Sequence, residues 1–295
     1  MIAQLYRKAL PSSFRDKIYQ LFLSKILFFV RNFDAHFKGT LYYLFGWMMP
    51  KTSLAKAYAF IGKHGITSYP GEYSLKYKSV PIEVFMDDAN GLPYVLHNGN
   101  KLYFPKKYSK EKVSINYRTL IIEQDIEAAH RYVVSYDELK NRTLFDIGSA
   151  EGIFSLDTIE YVDHVYLFEC EEYWIDALKA TFAPWIHKVT IIRKYVGDTN
   201  NDNFVTIDEL MKDKSIDNLF LKMDIEGAEQ SALRGAMNVL KNGKNIQLAV
   251  CVYHRDEDPA VISSAMQNIG YTTEFTKGYI YWGRRLSKAV VRCIK

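Results

Sequence analysis

The stretch Thr143-Leu-Phe-Asp-Ile-Gly-Ser-Ala-Glu-Gly152 decides the fold. A short apolar run passes straight into an acidic residue and a glycine-bearing turn, and a helical pattern follows over residues 153–161. In an open α/β sheet, this is how a buried parallel strand meets a small-molecule ligand at its carboxyl end. Gly148 and Gly152 let the backbone turn sharply and approach a ligand, and Ala150 keeps the turn narrow. Asp146 sets a carboxylate at the strand tip. A second follows the next apolar run, at Glu169, about 20 residues beyond the glycine turn, where a ribose diol is usually held. The pattern predicts an adenosine compound as ligand.

A dinucleotide fits less well. Its fingerprint is G-x-G-x-x-G, with pyrophosphate at the helix amino end. Here the turn reads Gly148-x-Ala150-x-Gly152, with Glu151 inside it. A carboxylate there repels pyrophosphate and suits a cationic amine or sulfonium, which favours S-adenosylmethionine over a nicotinamide cofactor. A plain strand-to-helix turn with an Asp cap would not require Glu169 where it stands.

A second motif has the same form. The run Leu219–Met223 ends in Asp224-Ile-Glu-Gly-Ala-Glu229, and Ala232, Leu233, Ala236, Val239 and Leu240 then follow helical spacing. Three carboxylates at one strand tip cannot all be ionised and buried without partners, since each costs several kcal/mol to desolvate. Glu226 and Glu229 also suit the positive end of a helix dipole. Asp224, Glu226 and Glu229 are therefore candidates for the chemistry.

Together, Phe145-Asp-Ile-Gly-Ser-Ala-Glu-Gly152, the Phe168-Glu169 strand end, Thr206-Ile-Asp-Glu-Leu210 and Leu221-Lys-Met-Asp-Ile-Glu-Gly-Ala-Glu229 resemble the FkbM family of S-adenosylmethionine-dependent methyltransferases. The resemblance covers residues 101–295, and the Lys-x-Asp-x-Glu-Gly-Ala-Glu segment is its most specific element. The family's usual turn is Asp-x-Gly-Ala-Asn; this chain has Ser149-Ala150-Glu151, a departure at the cofactor contact. The resemblance implies O-methylation of a hydroxyl on a sugar, polysaccharide or secondary metabolite. It also implies that the region before the glycine turn helps cover the cofactor.

The expected architecture is α/β: a doubly wound, Rossmann-like class I methyltransferase sheet over residues 141–295, a β/α lead-in over 73–140 and a basic, aromatic-rich helical segment over 1–72. Strands are predicted near 143–147, 165–169, 189–195, 218–223 and 246–252, with further candidates at 271–275, 278–282 and 289–294. In the lead-in, residues 81–86 and 101–104 flank a turn-rich stretch, Asn98-Gly99 reads as a hairpin turn, and 113–136 as mostly helical. Ligands bind beyond the carboxyl ends of such strands, so Asp146, Glu169, Val196, Asp198, Asp224 and His254 should converge.

Length and composition fit. The 295 residues are 48% apolar, ample for a sizeable core. Cys170, Cys251 and Cys293 form neither metal-ligand spacing nor an even disulfide set, as in a reducing, cytoplasmic setting. A net charge of +4 is too mild to indicate nucleic acid. It is unevenly spread: residues 1–60 hold nine Lys or Arg against Asp16 and Asp34, so that segment is +7 and the remainder −3. Residues 14–33 place Ile18, Leu21, Phe22, Ile26, Phe29 and Val30 at helical spacing, and 41–49 is a second aromatic-rich run. Neither is long enough to span a bilayer, and no signal-peptide pattern opens the chain. A basic amphipathic helix can lie on an anionic membrane, here the inner face, pack on its own domain, or form a dimer seam.

Methyl transfer to an alcohol needs alignment and a base for one proton. His254, beside Asp224 at a predicted sheet terminus, is the expected base, with Glu226 or Glu229 as substitutes. Asp224 would orient the hydroxyl or the imidazolium, or hold Mg²⁺ with Glu226. Two other classes share the fold: a nicotinamide-dependent sugar oxidoreductase or epimerase, and a non-catalytic adapter. The first lacks a Tyr-x-x-x-Lys pair and a phosphate-cradling glycine set.

Overall fold

The structure is a computed structural model and describes residues 24–295; the expected helix over 14–33 lies in part outside them. Three helices come first, α1 (Ser24–Arg31), α2 (Phe33–Leu44) and α3 (Ser53–His64). Thr52 caps α3 by accepting from the Ala55 N–H at 3.1 Å. Helices α2 and α3 meet backbone to backbone: a Cβ on Gly62 would stand 2.1 Å from the Gly39 carbonyl oxygen. Among the described residues no helix is long and apolar enough to cross a membrane.

The lead-in is a small antiparallel sheet of β1 (Phe85–Met86), β2 (Pro93–His97) and β3 (Asn100–Tyr103). Asn98 and Gly99 join β2 to β3 with φ of 50° and 86°, the two left-handed residues a type I′ turn requires. The turn stands where expected, but its first strand is Pro93–His97, inside the stretch read as turn-rich. Helix α4 (Lys110–Glu123) stops short of the expected 136. Asp125 ends it: its carboxylate accepts from the Glu127 N–H at 2.9 Å and from the Tyr77 hydroxyl, offering the backbone a turn in place of a helix.

The remaining chain winds around one sheet. Its strands are β4 (Thr143–Ile147), β5 (His164–Phe168), β6 (Val189–Ile192), β9 (Leu219–Met223), β10 (Gln247–Cys251), β11 (Thr272–Phe275) and β14 (Val290–Ile294). Between them lie a small parallel pair, β7 (Tyr195–Val196) with β8 (Phe204–Val205), and a hairpin, β12 (Ile280–Trp282) with β13 (Arg285–Ser287). The order is β11-β14-β10-β9-β4-β5-β6, parallel from β10 to β6, with β14 antiparallel to both neighbours. This is the doubly wound, Rossmann-like sheet expected, with a reversed strand near one edge. The predicted 189–195 strand divides into β6 and β7.

Helices α5 (Ile153–Thr158), α6 (Glu172–Thr181), α7 (Ile207–Leu210), α8 (Glu229–Arg234), α9 (Met237–Asn242) and α10 (Asp258–Asn268) link the strands. The single helix expected after Glu229 is two, because Gly235 packs on the chain at Gly197, where a Cβ would come within 1.9 Å of the carbonyl oxygen. Strand β9 is buried along its whole length, as a central parallel strand covered on both faces should be. The strand order reverses between β4 and β9, and their carboxyl ends form the crevice where such sheets bind ligands.

Candidate active site

At that switch point Gly148 carries φ of +80°, and a Cβ on it would lie 2.0 Å from the Asp224 carbonyl oxygen. The two motif turns therefore touch through bare backbone. Two cavities open on either side. The larger, about 440 Å³, is walled by Glu169, Trp174, Tyr195, Val196, Phe204 and Glu226. The smaller, about 150 Å³, is lined by charged and aromatic groups including Glu123, Tyr132, Glu151 and Lys222. Gly148, Ala150 and Asp224 border both.

Glu169 closes the first turn. Its Oε2 accepts from the Ala150 N–H at 2.9 Å and its Oε1 from the Glu171 N–H at 2.7 Å. That bond holds Ala150 at a left-handed φ of 45°. Each carboxylate oxygen keeps acceptor capacity for a further donor. Asp146 is buried and paired with Lys222 Nζ at 2.9 Å, while Ser155 donates to its Oδ2 at 2.6 Å. Lys222 also donates to the Gly148 carbonyl at 2.5 Å. Burial opposes the charge on Lys222, but Asp146 and Asp224 outweigh it and raise its pKa. Nothing comparable protects Glu151, and burial pushes its pKa up to about 8.

Asp224 is the hub of the second turn. Tyr132 and Tyr253 donate their hydroxyls to it, each at 3.2 Å, and His130 Nε2 lies 3.4 Å away. Burial works against its charge, yet His130, Lys222 and His254 hold its carboxyl well below the usual range. His130 is buried between two acids, with Nδ1 3.3 Å from Glu123. His254 donates through its Nδ1–H to Glu229 at 2.8 Å, and its Nε2 is 3.6 Å from both Asp224 and Glu226. Glu229 is fully buried and also accepts from the Ile225 N–H at 3.0 Å. Glu226 is largely exposed and holds a left-handed φ of 55°, the kind of strained position that clusters at functional sites.

The sequence profile described as the methyltransferase FkbM domain matches residues 93–273. The chain belongs to the FkbM methyltransferase family. Among solved structures, an FkbM methyltransferase from Methylobacillus flagellatus KT is 18% identical, with a TM-score of 0.42, over 63% of this chain and 55% of that one. The chain thus spans about half the length of that relative. A candidate methyltransferase from Streptococcus mutans, solved in complex with SAH, is 14% identical with a TM-score of 0.39, over 55% of this chain and 96% of that one. A precorrin-6y C5,15-methyltransferase from Geobacter metallireducens GS-15 is 14% identical with a TM-score of 0.37, over 56% and 88% of the respective chains. No curated protein sequence matches the chain.

In this member of the FkbM family, Gly148, Ala150, Glu169, Val196, Asp224 and Glu226 gather at the larger cavity, and Asp146 and Glu151 at the smaller. Four expectations need correction. Asp198 does not line either cavity; it is an exposed partner of Arg234 at 2.7 Å. Gly152 is a packing residue whose Cβ would meet Phe182 at 2.8 Å. Glu229, being fully buried, cannot meet a substrate and instead holds His254. The His254 side chain, three residues beyond the end of β10 at Cys251, is itself 3% exposed and lines neither cavity. Asp224, Glu229 and His254 each bring a ligand atom within 4.8 Å of the others, a mixed oxygen and nitrogen set different from the Asp224–Glu226 oxygen pair considered for Mg²⁺.

His130, Lys222, Tyr132, Tyr253 and Glu123 escaped the sequence reading as site residues. Lys222 had a signal, standing two residues before Asp224 on a strand otherwise wholly apolar. His130 and Glu123 lie in the 113–136 stretch, whose pattern reads only as mostly helical.

Proposed function

We propose that this methyltransferase moves the methyl group of S-adenosylmethionine to a hydroxyl oxygen of a sugar, polysaccharide or secondary metabolite. The observation that carries the reading is the pair of cavities joined over Gly148, Ala150 and Asp224. One is aromatic-walled with a carboxylate at its edge, and suits an adenosine. The other is small and charged, and suits an amino-acid tail. Glu169 would accept from the ribose hydroxyls, Tyr195, Val196 and Phe204 would flank the base, and Glu151 would face the cationic amine.

S-adenosylmethionine supplies a methyl group already activated on a sulfonium. The protein's own tasks are to align the acceptor oxygen and to accommodate one proton. Glu226 is the group in position to touch an acceptor, since it lines the cleft and its carboxylate faces solvent. His254 stands 3.6 Å behind it and Glu229 fixes its ring. We assign proton removal to this Glu226–His254 pair, with Asp224, held well below the usual carboxylate range, as an ionised anchor.

Calorimetry with S-adenosylhomocysteine and NAD, followed by labelled-methyl transfer over a panel of glycans and hydroxylated metabolites, tests the proposal. Binding of S-adenosylhomocysteine and label on an oxygen are expected. Binding of NAD alone would defeat the cofactor assignment, and label on nitrogen or carbon alone would defeat the acceptor class. Glu169→Ala should weaken S-adenosylhomocysteine by about 10- to 100-fold, the loss of a charged hydrogen bond worth about 1.5–3 kcal/mol.

A further inference from the structure

Helices α1 and α2 are built inside out. Helix α1 buries none of its residues, and α2 buries only Ala35 and Gly39. Facing outward are Phe28, Phe29, Phe33, Phe37, Leu44 and Trp47, each between 48% and 81% exposed. A helix serving only its own domain does the reverse, turning its large apolar side chains to the core. Phe29, Phe33 and Phe37 form a continuous row at four-residue spacing, with successive ring centroids 6.0 Å apart.

The row is held in place by what lies beneath it. Gly39 and Gly62 seat α2 directly on the backbone of α3. Ala35 packs with Ile61 and Tyr281, and the Tyr281 hydroxyl donates to Asn32 Oδ1 at 2.8 Å. Small residues inward and aromatic residues outward are thus one arrangement, and a contiguous exposed apolar face of this kind marks an interaction surface.

Charge selects the partner. Residues 24–52 carry Lys25, Arg31, Lys38 and Lys51 against Asp34 alone, a net of +3, while residues 61–295 are net negative. Two copies of this face brought together would oppose like charges, whereas an anionic lipid surface matches both its charge and its apolar row. Tyr43 and Trp47, near the end of α2, are residue types favoured at the membrane–water boundary. We propose that α1 and α2 dock the protein on the surface of an anionic phospholipid bilayer, with the aromatic row entering the headgroup–acyl boundary and the basic side chains on the phosphates. Tyr281, which anchors α2, precedes Trp282, whose ring meets that of His254 edge-on at 6.0 Å. The docking face and the active site are therefore linked through one strand, β12. This proposal does not depend on which acceptor is methylated.

Flotation of the full chain with vesicles tests it, using phosphatidylcholine mixed with phosphatidylglycerol against phosphatidylcholine alone, at low and high salt. Strong flotation with the mixed vesicles at low salt is expected, falling severalfold at high salt as screening grows. The double variant Phe33→Gln/Phe37→Gln and the single variant Trp47→Gln change exposed side chains, so their melting temperatures should match the parent. The double variant should lower the partition coefficient by about tenfold or more, since each phenyl ring loses its apolar burial, and Lys25→Glu/Arg31→Glu by a similar factor. No flotation with mixed vesicles at low salt overturns the proposal. So does equal flotation with and without phosphatidylglycerol. A doubled mass by light scattering that disappears in the phenylalanine variant, without lipid binding, would overturn it in favour of a seam between two copies.

Discussion

Glu151 is the residue whose protonation a cationic ligand must change. Burial raises its pKa to about 8, so at neutral pH most of the free protein carries it uncharged. A cation bound beside it favours the carboxylate, and binding then expels a proton. Affinity for S-adenosylmethionine should therefore climb as pH rises toward 8, by up to about tenfold per pH unit, and level off above. Calorimetry in two buffers of different ionisation enthalpy counts the proton, and Glu151→Gln should abolish both the proton release and the slope. A parent protein that releases no proton at pH 7 would place the amine elsewhere. His254 carries the second prediction at this scale. Burial opposes its charge, but the Glu229 hydrogen bond and the Asp224 and Glu226 charges prevail and raise its pKa. Only neutral imidazole accepts a proton, so turnover should rise with pH through a value above the ordinary ~6.5. Glu229→Gln removes the largest raising influence and should move that limb to lower pH, whereas Glu226→Gln removes the smallest, so it should move the limb less while cutting turnover about a hundredfold. A Glu229→Gln profile that coincides with the parent's would take His254 out of the proton path. Strand-tip acids such as Glu169 and Asp224 were legible in the sequence because an apolar run pointed at each. Asp198 was misread for the same reason: it follows a strand, but the chain there turns toward Arg234 instead of the cleft.

Among elements, the contact between the two motif turns is the most constrained. Gly148 sits at φ +80° with the Asp224 carbonyl where its Cβ would be. Alanine there must both adopt a left-handed backbone and push β9's end away from β4's. Gly148→Ala should therefore lower the melting temperature and abolish ligand binding together, since overpacking of this kind costs about 1–3 kcal/mol before the backbone strain is counted. A variant with the parent's melting curve but no binding would show that Gly148 spaces the ligand alone and that the turns can part. The strand pattern of this region was readable because parallel strands covered on both faces are unbroken apolar runs, as in Leu219–Met223. Helix boundaries were less so. Helix α4 ends at Glu123 because of an Asp125 side chain that competes for backbone donors, and the α8–α9 break is imposed by Gly197 from a distant loop. Neither influence has a periodicity to read.

In the whole molecule, lead-in and sheet are joined over the buried imidazole of His130. Glu123 comes from α4, Asp224 from the end of β9, Cys251 and Tyr253 from β10 and the turn beyond, and Tyr69 and Tyr132 close the sides. No sequence pattern announces such a centre, since its members lie up to 184 positions apart, from Tyr69 to Tyr253, and only the packed chain unites them. Burial opposes a charge on His130, but Glu123 and Asp224 raise its pKa well above 6.5, and both acids are in turn lowered. The signs then fix a stability profile. The contribution of His130 is fully present below its unfolded value near 6.5 and is lost as pH rises through its higher folded value. Those of Glu123 and Asp224 are present above their unfolded values of 4.5 and 3.8, and are lost as pH falls through their folded ones. The stabilisation from this cluster should therefore be highest between about pH 4.5 and 6.5 and decline on the alkaline side, and buried Glu151 adds to the loss as pH rises toward 8. His130→Gln removes the cation that stands between Glu123 and Asp224, a loss of about 3–5 kcal/mol, greatest on that plateau. Because the substituted side chain cannot take up the proton, the alkaline decline should flatten as well. Thermal melts of parent and variant from pH 5 to 10 separate the outcomes: a lowered plateau with an unchanged alkaline slope would mean that the decline belongs to other groups and that His130 fills space rather than carrying charge.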